Sequence, residues 1–498
     1  MNFLKRLFSQ DAEIKTSVIE STEAYTAKIS LPLHALSPEA VKPLQFSAGT
    51  ALIIAYIDAK ADVDSAQARI TQLTHFADKT LVLVSSDIDP LSDKASAAKS
   101  AVKPNGRSAQ GHDYQPTSRE HQVLLHGFSS AMIASVESLS ISLHLDKQGQ
   151  AQKEAIKRDI VLKAGRFGID INAHDTLALT YFDSRTRHED TFMQALYQSN
   201  QFPCNFIGGG TMEPNANKAG MFEDGSAVKN SVLLVFLKLR PEVRFGIFKT
   251  HNFVETGVKF TVADFDIEQR QLRGFIDSDS HQIMTPVEML CRHFNCEPQA
   301  LPDHLSRYSF AIKIQDELFV RSIADIDPNA GSLGFYSDMI FGVELHLVET
   351  VDIRQRTQED YQAFSQGKPG EPFAMLANDC ALRRIRHGLK AEDTGAFSAT
   401  ALSPLPSYGE ILGVQMNETL TAIAFYRVQP GERFYDQHTN QFALYYSFYR
   451  TYYSDIRLSA ISQINSAQHS LIENFLHYRP SIVQVTEQLA EISTLTKD

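Results

Sequence analysis

Residues 372–426 read PFAMLANDCALRRIRHGLKAEDTGAFSATALSPLPSYGEILGVQMNETLTAIAFY. An apolar run enters Asn378-Asp379-Cys380, and Leu382, Arg383, Arg384 and Ile385 follow in a helical segment. Next come a polar linker with Gly395, Pro404 and Pro406, the tetrapeptide Tyr408-Gly409-Glu410-Ile411, and an apolar strand over Leu420–Tyr426. A strand that ends in Asn-Asp offers the next helix a cap, because either side-chain oxygen can accept from first-turn amides. Cys380 then falls in the first turn, where the positive end of the helix dipole favours an anion or a thiolate. Arg383 follows three residues later on about the same face. Gly409 lets the backbone turn or approach a ligand closely, and Glu410 supplies one carboxylate. Such a group can hold a small zwitterion, arginine taking its carboxylate and glutamate its ammonium. A buried cysteine beside an Arg–Glu ion pair and a glycine turn is the plainer alternative.

The order and spacing of Cys380–Arg383–Arg384 and Tyr408-Gly409-Glu410 resemble the C-terminal half of the FIST family, sensory proteins built from an N-terminal and a C-terminal FIST domain. In that family a small residue–Cys–x–x–Arg turn opens a helix, and an aromatic-Gly-Glu tripeptide precedes the closing strand. The resemblance implies a mixed α/β (α+β) fold, two layered sheet-and-helix sensory domains followed by a C-terminal helical segment. It also implies a bacterial signal-transduction sensor that binds a small ligand, an amino acid or similar. The partner that reads it would be a histidine kinase, a cyclic-dinucleotide enzyme or a chemotaxis component. Some family members are haem-dependent nitric oxide sensors that regulate a histidine kinase, so haem and nitric oxide form the alternative reading.

Outward from that stretch, Ala51–Ile57 is a buried strand, Ala66, Ile70, Leu73 and Phe76 keep helical spacing, and Thr80–Val84 is a second strand. Strand, helix and strand within so short a span make a βαβ unit, as at the opening of a FIST N-terminal domain. Residues 89–120 are rich in Ser, Ala, Lys, Gly and Pro with no apolar period, which reads as a flexible insertion. Gln122–Leu145 reads as two strands around a short helix, 149–162 as a helix, Leu177–Phe182 as a strand and Asp190–Ser199 as a helix. Pro203–Thr211 runs a strand into Gly208, Gly209 and Gly210. The lysine of a phosphate loop and the spacing of a dinucleotide site are both missing. The triplet is therefore either tight strand packing or the lining of a ligand pocket, and the family shows a similar Gly-Gly element. Arg321, Asp325 and Gly331-Ser332 take the places of an Arg-x-x-x-Asp and a Gly-Ser-Leu loop in FIST C-terminal domains. The expected division is an N-terminal extension (1–47), a FIST N-terminal-like domain (48–244), a FIST C-terminal-like domain (245–430) and a helical dimerisation or output tail (431–498). In the tail, apolar and long side chains from Ile461 to Ile492 alternate three- and four-residue steps, a coiled-coil seam that Pro480 interrupts. Such a seam serves a homodimer or, as the alternative, an amphipathic helix docked on the chain's own core.

Composition narrows the functions. Asp+Glu outnumber Lys+Arg 59 to 47, a formal charge of −12, which argues against nucleic acid and anionic membranes as general partners. No apolar run approaches the ~20 residues a membrane span needs, and Met1–Phe8 is too short and charged for a signal peptide. Four cysteines without paired spacing fit a reducing cytoplasm. No catalytic constellation stands out. G-x-S-x-G is absent, and Cys380 and His387 are too far apart along a helix for a catalytic pair, although a cysteine-dependent hydrolase or transferase remains the third reading. Cys291, His293 and Cys296 are the densest cluster of metal-ligand types, but on one helix they point in three directions and no second ligand pair follows at zinc spacing.

Overall fold

The computed structural model describes residues 16–17, 25–85, 122–212, 218–277, 280, 282–387 and 402–454. The insertion and the heptad seam read from the sequence lie almost wholly or wholly outside these residues. Four β-sheets organise the described chain.

The first sheet is built on the expected βαβ unit. Thr50–Asp58 pairs in parallel with Ala77–Ser85, and helix Val63–Leu73 makes the crossover. Side chains alternate across the sheet, so Leu52, Ile54 and Tyr56 face the main core while Ile53, Ala55 and Ile57 meet Val63, Ala66 and Ile70 of the helix. The second sheet repeats the device: Thr176–Asp183 pairs in parallel with Asn205–Thr211 across helix Glu189–Ser199. Both strands are buried throughout, as strands covered on two faces must be. The third sheet is Val243–Thr250, Leu420–Arg427, Ala374–Cys380 and Leu402–Ser407, with helix Ile353–Ser365 covering one face through Tyr361 and Phe364. The fourth gathers the hairpins between Phe253 and Thr350. One face of every sheet contributes to a single large core. The result is the mixed α/β fold with helices at its C-terminal side.

Four details differ from the sequence reading. Thr26–Pro32, within the supposed extension, is an integral strand paired with Gln122–Ser129. No helix separates Gln122–Ser129 from Ile133–Ser142; a tight turn does. Leu402–Ser407, read as linker because of Pro404 and Pro406, is an edge strand, the place where a residue lacking an N–H is tolerated. Gly208, Gly209 and Gly210 lie inside a strand rather than in a loop after one.

Candidate functional site

The chain crosses between sheets at Tyr408-Gly409. Leu402–Ser407 lies parallel to Ala374–Cys380 in the third sheet, with Cys380 opposite Ser407. Two residues later Glu410–Leu412 joins the second sheet, with Glu410 opposite Gly209 and Ile411 opposite Gly208. Gly210 N–H donates to the Gly409 carbonyl at 3.0 Å and Tyr408 N–H to the Gly210 carbonyl at 3.1 Å. The glycine triplet is what this approach demands. A Cβ on Gly209 would sit 2.8 Å from both the Gly409 oxygen and Ser407 Cβ, one on Gly210 2.5 Å from the Tyr408 oxygen, and one on Gly208 inside the Thr180 backbone. The triplet is thus a packing surface, and it faces Tyr408-Gly409-Glu410 rather than a separate pocket.

Around the crossing stands a buried polar cluster. The Ser407 hydroxyl donates to Glu410 Oε1 at 2.7 Å. Arg383, 1 % exposed, donates from Nη1 to Asp379 Oδ1 at 2.7 Å. The Cys380 thiol and the Thr419 amide approach the Glu410 carboxyl. Arg383 Nε and Nη2, Glu410 Oε2 and Gln415 Oε1 have no hydrogen-bond partner among the described residues. Arg384, next on the helix, is more exposed than Arg383, and the partly buried Tyr408 turns its hydroxyl to Met212 Sδ at 3.3 Å.

Burial sets the charges here. Glu410 is fully enclosed, and desolvation raises its pKa well above the usual 4.5, which favours the protonated form. Desolvation, then the neighbouring Glu410, drive the Cys380 thiol well above 9.0. The expected thiolate is therefore corrected to a thiol: the strand runs through Cys380, the helix Ala381–His387 starts one residue later and is short, and desolvation outweighs its dipole. A neutral thiol also removes the main support for a cysteine-dependent enzyme. Nor do Arg383 and Glu410 form the ion pair of the plainer reading, since Arg383 is paired with Asp379.

The site has members the sequence did not single out. Residues 409–426 are buried without a break, polar Gln415, Asn417, Glu418, Thr419 and Thr421 included. Asn417 N–H donates to the Val320 carbonyl at 3.0 Å, and its Oδ1 accepts from Ser322 N–H at 3.3 Å and from the Ser337 hydroxyl at 2.5 Å. Glu418 Oε1 accepts from Ser322 Oγ at 2.7 Å. Gln415 Nε2 reaches the Tyr336 carbonyl at 3.5 Å. Residues 415–419 look like a solvent turn, yet Gly413 already makes the reversal between Glu410–Leu412 and Val414–Met416. The run makes a second, buried bend, Glu418 taking φ 46°, where the chain passes from Val414–Met416 to the strand Leu420–Arg427.

A porphyrin needs an imidazole nitrogen open to an apolar slot. Among the described buried histidines, His126 stacks on Phe128 at 4.2 Å and His346 pairs with Glu255 at 2.8 Å. His438 leaves Nδ1 open, and its cleft of about 770 Å³ mixes Ile247, Phe248 and Phe364 with the charged Lys249, Glu317, Arg356, Asp360 and Lys368. None of these three presents an open nitrogen to a wholly apolar slot. Among the described residues no group of three or more His, Cys, Asp and Glu could hold a metal ion, and no helix is long and apolar enough to cross a membrane.

Comparison with known proteins agrees with this layout. Family models of the FIST N domain and the FIST C domain match residues 51–273 and 286–412, most of the chain between them. No curated protein matches the chain.

Proposed function

Because the chain belongs to the FIST family, whose domains are associated with signal-transduction sensing of small ligands, we propose that the cluster around Arg383 and Glu410 is its sensing site. The ligand carries an anionic group for Arg383 and a donor or ammonium group for Glu410 and Gln415, as an amino acid does. One observation carries the proposal: among the described residues, buried nitrogens of Arg383 and buried oxygens of Glu410 and Gln415 around the crossing lack hydrogen-bond partners. Each unmade bond costs about 1–3 kcal/mol, a cost that a ligand with complementary groups would remove. An ammonium beside Glu410 favours the ionised carboxylate, so binding releases a proton.

Transmission follows the strand after Glu317. Val320 and Ser322 face Asn417 and Glu418 at the site, and Arg321 between them points the other way, to the Tyr452 hydroxyl at 3.3 Å and Asp190 at 3.7 Å. Tyr452 belongs to a helix over 442–454 whose Tyr453 carbonyl accepts from Gln194 at 3.0 Å, while Tyr449 lies flat against Gly413. This helix touches both halves of the molecule. A ligand that shifts Asn417 therefore moves its seat, and a cytoplasmic partner, a histidine kinase or another signalling enzyme, reads the tail.

The test begins with an absorption spectrum of protein expressed with haemin. A Soret band that shifts with nitric oxide would replace this reading by haem sensing. With a featureless spectrum, calorimetric titration of the amino acids should find a binder whose affinity depends on pH. If the Arg383→Ala protein, shown to be folded, bound that ligand unchanged, the site would be misplaced.

A further inference from the structure

We propose that Cys291 and Cys296 form a reversible dithiol–disulfide couple, oxidised by hydroperoxides, at the C-terminal end of helix Pro286–Phe294. On a continuous helix the two positions would stand about 140° apart. The helix stops short of that. Asn295 takes the left-handed conformation at φ 50°, and the returning Cys296 N–H donates to the Cys291 carbonyl at 3.0 Å. This closure brings the first and sixth residues of the turn together, so the chain carries Cys296 back toward Cys291. Both are reduced and partly exposed, whereas Cys204 and Cys380 are buried. Their neighbours are engaged elsewhere: Arg292 donates to Asp277 at 3.3 Å, and His293 packs edgewise on Phe260 and Phe294. A pair of thiols turned toward each other by the backbone, partly exposed and, among the described residues, without a metal-ligand set around them, is suited to two-electron oxidation.

The roles differ. Burial, and then the charge of Cys296, push the Cys291 thiol up to about 11, which makes Cys291 the poorer nucleophile and leaves the attack on peroxide to Cys296. The Cys296 thiolate attacks a peroxide oxygen. The O–O bond breaks, the leaving oxygen departs after protonation as water from hydrogen peroxide or as an alcohol from an organic hydroperoxide, and Cys296 becomes a sulfenic acid. The Cys291 sulfur then attacks Cys296, its proton leaves with the displaced hydroxyl as water, and the S–S bond forms. The two thiols have lost two electrons, and the hydroperoxide has been reduced by two.

The experiment treats the full-length protein with hydrogen peroxide, traps remaining thiols with iodoacetamide in denaturant and reads peptide masses. The peptide containing Cys291 and Cys296 should lose both alkylation sites together and become two hydrogens lighter. Dithiothreitol should restore it, and Cys204 and Cys380 should stay alkylatable. In the Cys291→Ser protein, where nothing resolves the sulfenic acid, Cys296 should be captured by dimedone. The proposal is overturned if both thiols remain alkylatable at peroxide levels that oxidise free cysteine, or if they pass directly to sulfinic acid. The wild-type measurement depends on no variant folding.

Discussion

Two buried arginines use the same chemistry to opposite ends. Arg270 spends its fork completely: Nε donates to Asp338 and Nη2 to Glu189, each at 2.7 Å, and Nη1 to the Tyr336 carbonyl at 2.6 Å. Glu189 opens a helix of the second sheet's βαβ unit, so this arginine fastens one half of the molecule to the other. Its own pKa is driven up by the two carboxylates, although burial opposes them. Arg383 has one carboxylate and two idle nitrogens. Close by, burial favours the protonated form of Glu410, and no described cation forms a salt bridge with it. A buried ion with each nitrogen matched acts as a fastening, whereas open nitrogens, as at Arg383 and also at Arg321, leave donors that a counterpart of the kind proposed for Arg383 could take.

The largest test of that contrast is Arg270→Ala, which strands Glu189 and Asp338 in the interior and should cost about 3–5 kcal/mol in urea unfolding. A loss below ~1 kcal/mol would erase the distinction. Arg383→Lys keeps a cation opposite Asp379 but removes the planar fork. Ligand affinity should fall at least about tenfold, roughly 1.4 kcal/mol by calorimetry. Stability should change less than that, and the reverse ranking would make Arg383 a second fastening. Glu410→Gln replaces a protonated acid by a neutral isostere. With its folded pKa raised above the ordinary 4.5, Glu410 contributes stability that is complete below that value and is lost as pH rises toward the folded pKa. The wild type should therefore lose up to ~1.4 kcal/mol per pH unit above that point, and the glutamine protein should lack this slope. Parallel wild-type and variant curves would mean that Glu410 is ionised and paired. Asp190→Asn should give the smallest change. Burial raises Asp190 from 3.8 to about 6 with Arg321 opposing, so its slope is confined between those two values and vanishes with asparagine.

The same two regions show what a sequence can disclose. Apolar runs and 3–4 spacing around Ala51–Val84 were legible because periodicity is local. The convergence of Cys380, Arg383, Tyr408, Gly409 and Glu410 was legible as order along the chain. Their charge states were not, because the desolvation that keeps Glu410 and Cys380 neutral comes from strands distant in sequence. Gly208–Gly210 suggested a loop because its reason, a strand at Glu410, lies some two hundred positions away. Leu402–Ser407 was hidden by prolines that only an edge position permits. Cys291 and Cys296 looked divergent until the left-handed Asn295 broke the helix between them.

The crossing at Tyr408-Gly409 also bears on how the protein is made. Until Glu410–Leu412 arrives, Asn205–Thr211 is a glycine-rich sheet edge with unpaired amides. At ~5–20 residues per second, synthesis of the intervening chain takes about 10–40 s. The N-terminal half thus leaves the ribosome with an open edge and cannot complete its second sheet until nearly the whole polypeptide exists. Its maturation is necessarily late and slow, governed by a contact of high sequence separation. Expressing residues up to Leu239 alone should yield an aggregating fragment rather than an independent domain.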